Sequence, residues 1–261
     1  MITVVIPTIG RPSLRATLAA LGPGIPVVVV DDRPAGAPLG ELPAGVRVVR
    51  SGGRGPAAAR NTGWRAAATP WVAFLDDDVV PGPGWAETVR ADLAELPEDV
   101  AGSQGRIVVP LPRDRRPTDA ERHTAGLAGA HWPTADMAYR RSALERAGGF
   151  DERFFLYAEE TDWSYRAVRA GWRHAVVPDA RALHLGGATS TDPTRRETHF
   201  HASQERYLRK HHGAAGWAVA RVGAVLGAAA RSVALRGEAR ESARRRLRLY
   251  VTGPVRAESA L

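Results

Sequence analysis

Short apolar runs alternate with helical patterns through the first third of the chain. Each run is rich in β-branched or aromatic residues and is bounded by Pro, Gly or Asp, which is typical of a buried strand. The predicted strands are Ile2–Ile6, Val27–Val30, Val46–Val49 and Trp71–Leu75. Helices are predicted between them at Arg11–Leu21, where leucines recur at helical spacing, and at Pro56–Ala68. This alternation predicts an α/β fold with a mainly parallel sheet.

The second half of the chain has shorter and more interrupted patterns. Pro110–Asp119 is polar and rich in proline, which predicts a loop. The strands predicted beyond it are Ala135–Tyr139, Ala175–Val177 and Ala182–Leu185, and the helices are Ser142–Ala147 and Glu159–Ala170. From about Thr198 the composition changes, first to His and Arg, then to an apolar stretch over 214–235 and an Arg-rich one over 236–248. We therefore predict one domain over 1–205 and a helical, Arg-rich extension over 206–261.

Composition narrows the class of protein. The chain has 261 residues, 44% of them hydrophobic, which fits one large domain with an appendage. The lack of cysteine excludes disulfides and thiolate metal sites, and it fits a reducing compartment. No basic segment precedes the first apolar run, which argues against a signal peptide and predicts a cytoplasmic protein.

The net charge of +8 has two explanations. It comes almost wholly from arginine, and heavy use of Ala, Gly and Pro beside Arg is typical of a GC-rich coding sequence. The other explanation is an anionic partner, such as a nucleotide, a phospholipid surface or a nucleic acid.

Acidic residues follow two of the predicted strands. Asp31 and Asp32 follow the second strand, and Asp76–Asp78 follow the fourth. In an open α/β sheet, ligands bind at the carboxyl ends of the strands. Three adjacent carboxylates repel one another unless a cation neutralises them, and Mg²⁺ and Mn²⁺ take such oxygen ligands. A solvated acidic turn is the alternative, because Asp is common in turns.

A glycine-rich segment, Ser51–Gly63, lies between these two acidic clusters. Its glycines allow a ligand to approach the backbone closely, and Arg60 offers a planar cation suited to phosphate. No Gly-Lys-Ser/Thr follows, so it is not a Walker loop, and Gly53-x-Gly55 is too short a match for a dinucleotide motif. The segment by itself identifies no ligand.

Taken in order, these motifs resemble glycosyltransferase family 2. The four that carry the likeness in the first half are Val5–Thr8, Val29–Asp32, Gly55–Gly63 and Phe74–Asp78. In the second half, Gly149–Arg166 and His184–Ser190 are similar to segments of the bacterial rhamnosyltransferase-like and galactofuranosyltransferase-like branch. The likeness covers about residues 2–192.

The resemblance implies an inverting enzyme with a GT-A fold, here with a C-terminal helical extension. Its nucleotide-sugar half would span about 1–109 and its acceptor half about 110–205. Such an enzyme moves a sugar from a nucleotide-diphosphate sugar to an acceptor hydroxyl, for example on a lipid-linked glycan or another cell-envelope or natural-product acceptor. It commonly uses a divalent metal, Mn²⁺ or Mg²⁺.

The resemblance also implies roles for individual residues. Those expected to bind the nucleotide sugar are Pro7, Thr8, Arg11, Asp31, Arg60, Asp76 and Asp77. Those expected to hold the metal are Asp78, Asp76 and His184, with Asp78 making the most direct contact.

Glu159 and Glu160 are the candidate catalytic residues. Many relatives carry Glu-Asp where this chain carries Glu-Glu, and their Asp is the usual general base. Glu160 aligns with that Asp, which leaves Glu159 to bind acceptor hydroxyls or to orient the loop. The alternative is that both are helix N-terminal charges that complement the helix dipole.

Two rival functions and one structural question stay open at this point. A nucleotidyltransferase acting on sugar phosphates also pairs an α/β sheet with metal-binding acids, and a non-catalytic nucleic-acid-binding protein would explain the charge. No motif for specific nucleic-acid binding is present.

The apolar Gly216–Leu235, interrupted by Arg221 and Arg231, is either an amphipathic helix at an anionic membrane surface or a helix packed on the main domain. We favour peripheral contact with the inner face of the plasma membrane, and the oligomeric state is left open.

Overall fold

A computed structural model describes residues 1–36, 38–108, 111–112, 114, 116, 135–184 and 192–261, without the side chains at 106, 176–181, 183, 184 and 193. Internal contacts divide the chain into two units. The first comprises Met1–Arg153 with Glu159–Ala188, and the second Phe154–Ala158 with Thr189–Leu261. Most of the predicted loop at Pro110–Asp119 lies outside the described residues.

The first unit is built on an eight-stranded sheet. Its strands are β1 (Ile2–Thr8), β2 (Val27–Asp31), β3 (Val46–Arg50), β4 (Trp71–Leu75), β5 (Val79–Pro81), β6 (Val100–Val108), β7 (Asp136–Arg140) and β8 (Arg173–His184). They lie in the order β3-β2-β1-β4-β7-β6-β8-β5. The pairs among β1 to β4 and the β6–β8 pair are parallel, whereas β7 runs antiparallel to both of its neighbours and β5 antiparallel to β8. The predicted α/β fold is therefore confirmed.

Helices cover both faces of this sheet. They are α1 (Leu14–Leu21), α2 (Pro56–Ala66), α3 (Trp85–Glu95), α4 (Arg141–Ala147) and α5 (Glu159–Arg169). Val4 and Ile6 pack in one core with α1 and α3, and Val5 packs in the other with α2, α4 and α5. Successive side chains of a strand point to opposite faces, so a strand covered on both faces must be apolar throughout. This explains the uninterrupted apolar runs.

The structure differs from the sequence prediction in several elements. Helix α1 begins at Leu14 rather than Arg11, after a turn. Strands β5 and β6 and helix α3 were not predicted, although Trp85, Val89 and Leu93 of α3 form a buried stripe at helical spacing.

The two strands predicted at Ala175–Val177 and Ala182–Leu185 are one strand, β8. Its ladder with β6 shifts register between Gln104–Val176 and Arg106–Arg181, so several residues of β8 bulge out between the two pairs. Pro178 lies in that bulge, where a residue that cannot donate a backbone hydrogen bond is tolerated.

The second unit is helical. It contains α6 (Pro193–Ala234), α7 (Gly237–Thr252) and α8 (Pro254–Glu258). Helix α6 is broken at Gly213, whose φ of 68° is not helical, and residue 205, the predicted domain boundary, lies within it. Within the unit, Arg221 of α6 donates hydrogen bonds to the carbonyls of Tyr250 and Val251. His199 pairs with Glu258 of α8, so both short helices fold back against α6.

Candidate active site

The three aspartates after β4 take different partners. Asp77 is buried and accepts hydrogen bonds from Thr8 Oγ1 at 2.6 Å and from Arg11 Nη1 at 3.1 Å. The same Arg11 nitrogen lies 3.4 Å from Asp78 Oδ2. Burial raises the pKa of Asp77, and the Thr8 hydrogen bond and the Arg11 charge oppose that rise. Thr8 at the end of β1 and Arg11 in the turn before α1 therefore contact the carboxylates that follow β4.

Asp76 is the most exposed of the three, with a third of its side chain accessible, and it pairs with Arg60. Arg60 lies buried on α2, donating from Nη2 to Asp76 Oδ1 at 2.9 Å and from Nη1 to Glu159 Oε1 at 2.6 Å. The sequence pattern predicted a phosphate ligand at this position. In the structure both terminal nitrogens of Arg60 contact carboxylates, and both partners lie later in the chain than Arg60.

Glu159 and Glu160 are the first two residues of α5. Glu159 is buried, and Glu160 keeps part of its surface exposed although its carboxyl group is enclosed. Burial, reinforced by the charge of Glu159, raises the pKa of Glu160 to about 8. The two residues before them, Tyr157 and Ala158, have positive φ angles of 70° and 64°, which side chains other than glycine rarely adopt. Backbone of this kind is often found at functional sites.

Asp31 is the last residue of β2 and Asp32 follows it, and the two have different partners. Asp31 is buried and accepts two hydrogen bonds from the Arg33 guanidinium, at 2.8 and 2.9 Å, and these hold its pKa below the usual range. Asp32, to which the sequence assigned no role of its own, accepts hydrogen bonds from Ser51 Oγ, Arg54 N and Gly55 N. It thereby holds the glycine-rich loop at the start of α2.

Asn61 connects the two halves of the first unit. Its Nδ2 donates to the Phe150 carbonyl at 2.8 Å and to Glu152 at 2.9 Å, and its Oδ1 accepts from Phe150 N and Trp64 Nε1, each at 3.0 Å. Gly149 has a φ of +65°, and a β-carbon there would lie 2.8 Å from Asn61 Oδ1. The hydrogen bonds of Asn61 therefore hold the segment around Phe150 against α2.

The remaining predicted residues lie at the same edge of the sheet or outside the described side chains. Pro7 is in β1 opposite Val30, next to Thr8. His184 ends β8 and pairs with Val79, directly after the aspartates, but its side chain is not among those described. Within the described residues, no group of three or more His, Asp or Glu side chains is arranged to hold a metal ion.

Asp136 is a buried acid that sequence reasoning missed. It pairs across the β4–β7 ladder with Leu75, next to the aspartates, and Trp85 Nε1 donates to its Oδ1 at 3.2 Å. Burial raises the pKa of Asp136 to about 7. An Asp inside an otherwise apolar predicted strand was the only signal for it.

A mainly parallel sheet with carboxylates clustered at the carboxyl ends of its strands is the arrangement in which α/β proteins bind ligands at that edge. The chain belongs to glycosyl transferase family 2, since the model of that family matches residues 3–160. The family resemblance inferred from the motifs is thereby confirmed.

Two curated relatives come from Mycobacterium tuberculosis. A pre-mycofactocin glycosyltransferase is 32% identical over 203 residues, which cover 70% of this chain and 42% of that protein. An N-acetylglucosaminyl-diphospho-decaprenol L-rhamnosyltransferase is 36% identical over 106 residues, 40% of this chain and 32% of that protein. The chain thus spans less than half the length of these relatives.

Solved structures of S. aureus TarS share the fold. Residues 1–349 of TarS in complex with UDP superpose with a TM-score of 0.52 and 17% identity over 80% of this chain and 65% of that one. The complex with UDP-GlcNAc gives a TM-score of 0.51 over 80% and 66%. The likeness supports the GT-A arrangement of the sheet and its helices.

Proposed function

We propose that this chain transfers a sugar from a nucleotide-diphosphate sugar to an acceptor hydroxyl, with inversion at the anomeric carbon. The observation that carries the proposal is the buried Arg60, which joins Asp76 at the end of β4 to Glu159 at the start of α5. The carboxylates assigned to the donor and those assigned to the acceptor are thus parts of one site. The names of the relatives and the UDP-GlcNAc bound to TarS support this choice of donor.

On the donor side, Pro7, Thr8 and Asp31 lie at the ends of β1 and β2, where a nucleotide binds in sheets of this kind. Arg11 and Asp77 continue the same edge. Arg11 is partly exposed and carries a charge that stabilises the diphosphate as the bond to the sugar breaks.

Mn²⁺ or Mg²⁺ fits the acids at this edge. Such ions bind through one or two carboxylates and take substrate phosphates as further ligands, so a complete protein cage is not required. Asp76 and Asp78 would hold the ion, with His184 as the third candidate. When bound, the metal supplies positive charge that neutralises the leaving diphosphate.

On the acceptor side, Glu160 removes the proton from the attacking hydroxyl. A base whose pKa lies near the working pH combines a sufficient ionised fraction with a strong pull on the proton. Glu159 stays paired with Arg60 and orients the start of α5. A single displacement, with the hydroxyl attacking opposite the leaving diphosphate, inverts the anomeric centre.

The test is to supply a panel of nucleotide-diphosphate sugars with Mn²⁺ and lipid-linked or soluble hydroxyl acceptors. We expect one donor to yield a nucleoside diphosphate and a glycosylated acceptor of inverted configuration. Release of pyrophosphate without sugar transfer would instead support a nucleotidyltransferase. A product of retained configuration would contradict the single displacement.

We further propose that the second unit keeps the enzyme at the inner face of the plasma membrane. Residues 189–261 hold 14 Arg and Lys against 6 Asp and Glu, so they carry the whole net charge of +8. Among the described residues, Thr194–Ala234 is the one helix long and apolar enough to cross a membrane, and only 11% of its most apolar window is buried. Arg221 and Arg231 interrupt the apolar stretch Gly216–Leu235 of this helix, which favours a helix lying at the surface. The decaprenol in the name of one relative is consistent with a lipid-linked acceptor.

Vesicle binding tests the membrane proposal. Val222 and Leu226 lie on the same face of α6 and are 58% and 64% exposed. Val222→Glu should abolish sedimentation with anionic vesicles, whereas Val168→Glu, at a site on α5 that is 56% exposed, should not. Equal binding of wild type and Val222→Glu to anionic vesicles would refute the membrane proposal. Equal binding of wild type to neutral and to anionic vesicles would also refute it.

A further inference from the structure

Arg60 contacts both the aspartate cluster and the glutamate pair. Its partners come from distant parts of the chain, Asp76 from 16 residues away and Glu159 from 99 residues away. Only about 5% of the Arg60 and Glu159 side chains is exposed. A buried charge is costly unless it is paired, and here each terminal nitrogen has its own carboxylate.

The shape of the arginine side chain matters for this arrangement. A guanidinium is planar, and its two terminal nitrogens point in fixed directions, so it sets the distance and angle between two carboxylates. Arg60 is itself held by α2, because the neighbouring Asn61 is hydrogen-bonded to Phe150 and Gly63 packs tightly on Val5. Its position is therefore imposed by the helix.

We propose that Arg60 is a positioning residue of the transfer reaction. It fixes Asp76, on the donor side, in relation to Glu159 and hence to the neighbouring Glu160, on the acceptor side. This inference rests on the proposed function and changes the role predicted for Arg60 from the sequence, since it acts through carboxylates and not through the donor phosphates.

The charge of Arg60 has a second effect. Burial and the charge of Glu159 raise the pKa of Glu160, and Arg60 lowers it. Burial and the charges of both glutamates raise the pKa of Tyr139 of β7. Without Arg60, the proton on Glu160 becomes harder to remove. The rise of activity with pH should then occur at higher pH.

The test compares Arg60→Lys, Arg60→Met, Glu159→Gln and the double variant Arg60→Met/Glu159→Gln. Arg47→Met is the matched control, because Arg47 is exposed and contacts a backbone carbonyl at the far end of α2. We expect Arg60→Met to lower kcat about 100-fold, in the range of an impaired general base, with KM for the donor within about threefold of wild type. The acid limb of its pH profile should move upward by about one unit. Arg60→Lys should recover part of kcat.

The double variant shows whether Arg60 acts through Glu159. If it does, the two changes are not additive, and the double variant should be within about threefold of the slower single variant. If the double variant loses kcat by the product of the two single losses, the proposal is wrong. An Arg60→Met enzyme that binds donor more than about tenfold more weakly by calorimetry and has an unchanged pH profile would also overturn it. If Arg60→Met does not fold, the same comparison is made with Arg60→Lys, alone and combined with Glu159→Gln.

Failure of the proposed function is recognised separately. In that case wild-type enzyme transfers no sugar from any donor, but the coupling can still be measured in thermal unfolding. Arg60→Lys and Glu159→Gln should each lower Tm by about 5 °C or more, and the double variant should lose less than both losses combined. Additive losses would overturn the positioning role by itself.

Discussion

Replacing Glu160 with Gln is the most direct test of the acceptor-side chemistry. The change keeps the size of the side chain but removes the base of the proposed reaction. Loss of a general base should lower kcat by roughly 10²–10⁴-fold. Donor affinity should stay the same, because the residues assigned to the donor lie on β1, β2 and β4 and not on α5.

The pH dependence follows from the raised pKa of about 8 at Glu160. Only about a tenth of the carboxyl groups would be ionised at pH 7 and about nine-tenths at pH 9, so kcat/KM should rise about tenfold between them. The stability of the folded protein changes with pH in the opposite direction to kcat/KM. Folding holds the proton on Glu160 at pH values where the unfolded chain releases it, so this contribution is lost as the pH rises through about 8. Above that pH, Glu160→Gln should melt at a higher temperature than wild type.

Initial rates at several donor concentrations, from pH 6 to 9.5, measure the change in kcat/KM, and thermal melts over the same pH range measure the change in stability. Glu95→Gln is the control, since Glu95 is exposed on α3. A pH-independent wild-type rate, or a Glu160→Gln variant with near wild-type turnover, would refute the assignment. If Glu159→Gln is inactive and Glu160→Gln is active, the two roles are exchanged.

Four further changes test the framework of the site. Asn61→Ala removes four hydrogen bonds, and we expect a loss of about 2–4 kcal/mol in urea unfolding, whereas an unchanged midpoint would contradict the tethering role. Gly63→Ala places a β-carbon 2.2 Å from Val5 Cγ1, so overpacking should cost about 1–3 kcal/mol in the same assay. Asp31→Ala should weaken donor binding by about 1.5–3 kcal/mol in calorimetry, and equal affinity would count against a nucleotide contact. Asp78→Asn should abolish Mn²⁺-stimulated transfer with the fold intact, and turnover that persists with chelator would exclude the metal assignment.

Much of the fold could be predicted from local patterns. Strands β1 to β4 were found because a strand covered on both faces has a continuous apolar run, which needs no knowledge of its partners. Strand β6, with glycine, serine and glutamine in its first half, has no such run. It is a strand because β7 and β8 pair with it, and that pairing is tertiary. Strand β8 is likewise one long strand because of its tertiary pairing. A bulge in its ladder with β6 accommodates Pro178, and the local sequence does not specify that ladder.

The sequence by itself determined the family, the order of the motifs and the residue types at the site, because these are properties of short segments. It placed aspartates at the end of β4 and two glutamates at the start of α5. Only the tertiary structure decided how the charges pair. Arg60 was predicted to bind phosphate, yet its nitrogens contact Asp76 and Glu159, the latter 99 residues away. Such a pairing depends on how α2 and α5 pack against the same face of the sheet. Charge energies vary steeply with distance and burial, and local sequence specifies neither.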